Sequence, residues 1–102
     1  MVNITITEQG ERQIVRISGE LDNTASRDAE KALKPVMEQE NFDVEVDCSE
    51  LKYISSSGLR LLLNLYKHQC TTGHRRILSH MDDYIKKVLD TGGFLTIFET
   101  EE

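Results

Sequence analysis

At 102 residues the chain has enough material for one compact domain with a single modest core, and little for a second. Eighteen acidic side chains against twelve basic ones give a formal charge of -6, which repels nucleic-acid phosphates and anionic membrane surfaces; the one basic cluster, His74-Arg75-Arg76, is short and lacks interleaved aromatics. No run of about 18 apolar residues and no basic-then-apolar leader occurs, so neither membrane insertion nor export is expected.

Val2, Ile4 and Ile6 alternate with polar residues, and after the turn Glu8-Gln9-Gly10-Glu11 the segment Gln13-Ile14-Val15-Arg16-Ile17-Ser18 reads as a second strand, which predicts an opening β-hairpin. Gly19-Glu20-Leu21-Asp22 breaks that pattern. Beyond it Ala25, Ala29, Ala32, Leu33 and Val36 recur at helical spacing, so a first helix starts near Asp22. Pro35 has no amide to donate and crowds the preceding turn, which ends or kinks this helix around Leu33 and leaves residues 36–40 for a further turn. Residues 43–48 alternate strictly, with Val44, Val46 and Cys48 on one face and carboxylates on the other, a strand with one wet face. The next helix follows a serine run and carries the stripe Leu59, Leu62, Leu63, Tyr66 and Cys70, widened by Leu61 and Leu65, to a stop at Gly73.

Residues 75–79 read as a fourth strand and Met81, Ile85, Val88 and Leu89 as a third helical face stopped by Gly92-Gly93. Residues 94–98 read as a last strand, and the acidic tail beyond them is expected to fray. The order β-β-α-β-α-β-α-β predicts a single α/β domain over residues 1–102. Its mixed sheet has four to five strands, joined by right-handed crossovers, with helices mainly on one face.

The stretch Leu51-Lys52-Tyr53-Ile54-Ser55-Ser56-Ser57-Gly58-Leu59 concentrates hydroxyls at a strand-to-helix junction. One serine suffices to cap the helix, a role worth about 1 kcal/mol. Three leave hydroxyls to spare where free amides and the helix dipole favour an anion, so both capping and phosphorylation stay open. Asp22 likewise reads as a helix N-cap. A serine hydrolase has no GxSxG elbow here, and nothing ties His68, His74 or His80 to a serine. Cys48, His68 and Cys70 lack a fourth partner for a metal. The two cysteines form no CxxC pair and suit reduced thiols in the cytoplasm. Glycines are too sparse for a phosphate-binding loop, so no catalytic activity, metal or cofactor is expected.

Gly19-Glu20-Leu21-Asp22, the acidic strand before Cys48, and Ile54-Ser55-Ser56-Ser57-Gly58-Leu59 stand in the order found in STAS domains, and the chain resembles the anti-sigma factor antagonist branch of that family over nearly its whole length. The resemblance implies a phosphorylation-controlled partner switch. An anti-sigma factor with serine kinase activity phosphorylates the position of Ser56, a PP2C-like phosphatase reverses it, and the unphosphorylated form captures the anti-sigma factor and frees a sigma factor. It implies partner contacts through Asp22, Ser55, Ser56, Ser57, Gly58, Leu59 and Leu61. Ser55 stands where the best-known antagonists carry aspartate, which keeps Ser55 and Ser57 as alternative acceptors. Many relatives also continue into another helix after the position of Phe98. STAS modules serve as well as accessory subunits of ABC-type lipid or anion transporters, the alternative use that the same fold permits.

Overall fold

In a computed structural model that describes residues 2–102, the chain opens with an antiparallel hairpin of β1 (Val2–Gln9) and β2 (Arg12–Leu21). It continues through α1 (Asn23–Ala32), α2 (Lys34–Glu38), β3 (Asp43–Asp47), β4 (Leu51–Ile54), α3 (Ser56–Thr72), β5 (Arg76–Ser79), α4 (Asp83–Thr91), α5 (Phe94–Ile97) and β6 (Glu99–Glu101). The six strands form one mixed sheet in the order β1-β2-β3-β5-β6, and β4 pairs with the far end of β2, beyond the residues that β3 occupies. All pairings except the opening hairpin are parallel.

Val15 and Ile17 of β2, Val44 and Val46 of β3 and Leu78 of β5 meet Ala29, Leu62, Leu65, Ile85 and Leu89 from the helices in one buried core. Each of these strands points alternate residues at the helices, as a half-covered sheet requires. Leu33 ends α1, and Pro35 sits in the first turn of α2, where its missing amide is no loss. The kink expected there is present.

Four expectations need correction. The sheet has six strands rather than four to five: Gly19-Glu20-Leu21 does not end β2 but continues it past a register shift between Gly19 and Glu20, and β4 adds alongside. Gly19 takes φ 96° there, a conformation that glycine adopts without strain.

Residues 94–98 are not a strand. Phe94–Ile97 forms one helical turn after Gly93, burying Phe94 and Phe98 with ring centroids 6.4 Å apart. A short apolar run fits a turn of helix as well as a strand. The last strand is the acidic tail itself, which does not fray: Glu99–Glu101 pairs with β5, Arg75 holds Glu99 at 2.8 Å, and Arg12 holds Glu101 at 3.0 Å.

The carboxylate face of β3 is not wet. Glu45 and Asp47 are 7% and 4% exposed. Arg12 Nη1 donates to Glu45 at 2.7 Å, Ser79 Oγ donates to the other Glu45 oxygen at 2.6 Å, and Arg16 Nε donates to Asp47 at 3.1 Å. Burial alone raises the Asp47 pKa, but hydrogen bonds from Ser49 and Arg16 outweigh it and hold the carboxyl below its ordinary range.

Candidate functional site

Chain geometry brings two helix starts together. Because β4 pairs with Gly19–Leu21, the segment leaving β4 runs beside the segment leaving β2, and the Ser55 amide donates to the Leu21 carbonyl at 2.9 Å. Asp22 caps α1, its Oδ1 accepting from the Ala25 amide at 2.8 Å. Ser55 caps α3, its Oγ accepting from the Gly58 amide at 3.3 Å. Ser57 Oγ donates to Asn23 Oδ1 at 2.9 Å and ties the two starts to each other.

This arrangement separates the roles of the three serines. Ser55 is only 8% exposed and spent on capping, and Ser57 is tethered to α1. Ser56, the first residue of α3, is exposed, and its hydroxyl is in none of the side-chain hydrogen bonds among the described residues. It stands where the unpaired amides and the dipole of a 17-residue helix favour negative charge. Gly58 is required for the close approach beneath it. A Cβ there would lie 2.8 Å from Ile54 Cγ1 and 2.9 Å from Leu21 Cδ2.

Asp22, Ser55, Ser56, Ser57, Gly58 and Leu59 thus lie around the two linked helix starts. Leu61 does not present itself there: it is buried in the core and shows an edge only between α1 and α3. Two residues that the sequence reading passed over flank the junction, since Tyr53 is 40% and Tyr84 50% exposed. Tyr84, Leu59 and Val88 line an apolar groove of about 550 Å³ between α3 and α4, one turn along α3 from Ser56. Spacing alone gave no signal for Tyr84, which stands one turn from both Met81 and Val88 at the edge of the stripe of Met81, Ile85, Val88 and Leu89.

The histidines have separate partners. His68 Nε2 lies 2.7 Å from the Gln39 carbonyl, His74 Nδ1 lies 3.3 Å from Asp43, and His80 is exposed at a positive φ. At 1.5 Å per residue, His68 is about 18 Å along α3 from Ser56. Among the described residues no group of three His, Cys, Asp or Glu side chains is placed to hold a metal ion. Cys48 is buried, which pushes its thiol up to about 12, whereas Cys70 is exposed. Among the described residues no helix is long and apolar enough to cross a membrane.

The profile of a protein family described as "Mlab, STAS domain" matches residues 4–96. The chain belongs to the STAS domain family. A putative anti-sigma factor antagonist of Bordetella bronchiseptica, BtrV, is 27% identical over 85 residues, which make up 83% of this chain and 73% of that relative. The fold superposes on an anti-sigma factor antagonist from Mycobacterium paratuberculosis with a TM-score of 0.88 at 17% identity, over 98% of this STAS domain and 85% of that chain. It also superposes on the Bacillus cell fate determinant SpoIIAA in its phosphorylated form, with a TM-score of 0.75 at 20% identity, over 98% of this chain and 92% of that one.

Proposed function

We propose that this STAS domain is an anti-sigma factor antagonist switched by phosphorylation of Ser56. The single observation that carries the reading is the division of labour at the α3 start, where capping is complete without Ser56 and its hydroxyl is left exposed. The relation to BtrV and the shared fold of SpoIIAA, a protein that takes a phosphorylated form, support it.

The partner in this reading is an anti-sigma factor with serine kinase activity. The Ser56 oxygen attacks the γ-phosphorus of the kinase's bound ATP, an O–P bond forms as the bond to ADP breaks, and the hydroxyl proton passes to a base of the kinase. A PP2C-like phosphatase hydrolyses the ester and resets the switch. In the free domain the phosphate is tolerated, because helix amides and the dipole face it. At the interface it adds a charge of about -1.5 to -2 that must be desolvated next to Asp22. Each 1.4 kcal/mol of that penalty weakens the complex about tenfold, so no change of fold is needed. The groove of Leu59, Tyr84 and Val88 supplies apolar contact area beside the switch.

Affinity capture from native lysate with parent, Ser56→Ala and Ser56→Asp baits tests partner and switch together. A kinase-type anti-sigma factor is expected on the first two baits and lost from the third. Recovery of a transporter permease or ATPase on all three would overturn the reading in favour of an accessory subunit.

A further inference from the structure

On the flank of α3 away from Tyr84, a second groove of about 610 Å³ lies between α1, α2 and α3, beside the break at Leu33. Leu33, Met37 and Leu61 form its apolar floor, and Arg27, Lys31 and Lys34 stand on its rim. The neighbouring hollow towards Ser57 shares Arg27 and Leu61 and adds Arg60. Among the described residues none of these four cations belongs to an ion pair, whereas Arg12, Arg16 and Arg75 are all paired. Glu30 is the one carboxylate on the rim. Four of the cations outside any ion pair among the described residues thus gather around one apolar groove beside a single carboxylate, in a molecule of formal charge -6; Lys52, Lys67, Arg76, Lys86 and Lys87 are the others, and they lie elsewhere.

We infer that this groove docks an acidic amphipathic helix of a partner protein, with leucine-like side chains on the floor and carboxylates against Arg27, Lys31, Lys34 and Arg60. Charge complementarity selects the occupant: a basic segment is repelled by the rim, and a neutral apolar one leaves four cations unanswered. The length agrees, since the ten residues of α1 run about 15 Å, three turns of a helix laid alongside. A second copy is a poor source, because the chain's own acidic run in β6 is held by Arg12 and Arg75. The inference stands on this groove alone and does not depend on Ser56.

The test is a titration of the isotope-labelled full chain, followed by amide chemical shifts. Its probe is a synthetic twelve-residue peptide with leucine on one helical face and glutamate elsewhere; matched controls carry lysine for glutamate, or serine for leucine. The acidic amphipathic peptide should perturb Leu33, Met37, Leu61 and Asn64, and neither control should bind. The double variant Arg27→Glu/Lys34→Glu, reversed at exposed positions and so still folded, should bind it at least about tenfold more weakly. Ser56→Ala should bind as the parent does. Absence of shifts, shifts confined to another face, equal binding of the lysine peptide, or unchanged affinity in the double variant would each overturn the proposal. Concentration-dependent shifts of the same groove without peptide would assign it to a second copy and overturn it too.

Discussion

Three adjacent serines at the α3 start have three different surroundings, and their substitutions should separate accordingly. Ser55→Ala removes the cap and should lower stability by about 1 kcal/mol, whereas Ser56→Ala, which breaks no hydrogen bond, should change it by less than about 0.5 kcal/mol. Equal melting shifts for the two would contradict the assignment of roles. Gly58→Ala gains about 1 kcal/mol in helix propensity but drives a Cβ against Ile54 and Leu21, and overpacking of this kind costs about 1–3 kcal/mol. Denaturant titration should therefore show a net loss or at best no gain, where a helix position with open space would gain.

The two cysteines give a residue-scale test in pH. Burial holds the Cys48 thiol neutral, with its pKa raised to about 12, while the unfolded chain releases that proton near 9. A raised folded pKa means that stability is intact below about pH 9 and declines as pH climbs towards 12, by up to about 1.4 kcal/mol per unit. Thiol labelling of the folded chain at pH 8 should modify Cys70 and spare Cys48.

At the scale of elements, the sheet face without helices is closed by side chains rather than by a layer. Arg12 bridges Glu45 of β3 and Glu101 of β6, and Ser79 of β5 completes the shell of Glu45. Arg12→Ala leaves the Glu45 carboxylate nearly buried and short of its charged partner, which should cost about 2–4 kcal/mol in a denaturant titration and loosen amide protection in β6. A loss below 0.5 kcal/mol, roughly that of an ordinary exposed ion pair, would show that the bridge holds nothing.

Alternation in residues 43–48 told which residues share a face, and it did so correctly. It could not tell that Arg12 and Arg16 would lie beside those carboxylates, because that depends on the β2–β3 register, which pairs Ile14 with Glu45 and Arg16 with Asp47. The end of α1 was legible, since proline acts locally. Residues 94–98 were not, since the spacing of Phe94, Leu95, Ile97 and Phe98 suits a helical turn as well as a strand, and β5 pairs instead with the charged residues that follow. The four-residue β4 escaped notice because Leu51-Lys52-Tyr53-Ile54 carries no alternation; it is a strand only because β2 continues past its bulge.

Across the whole molecule, one sheet and one core carry the end at which two capped helix starts are linked. Its residue types and their order were readable in the sequence from Asp22 to Leu59. The separation of cap from free hydroxyl was not, because three identical side chains are told apart only by what each one touches. The groove between α1, α2 and α3 was hidden for a related reason: Arg27, Lys31 and Lys34 follow at one-turn spacing, but Arg60 and the floor residue Leu61 join them only when α1 packs on α3.

The most direct measurement is phosphosite mapping of the chain isolated from its native cells, with the free and partner-bound fractions analysed separately by tandem mass spectrometry. Phosphate on Ser56 alone, present in the free fraction and absent from chain bound to the anti-sigma factor, is the predicted result. Phosphate on Ser55 or Ser57, or a bound fraction phosphorylated at Ser56, would contradict the switch.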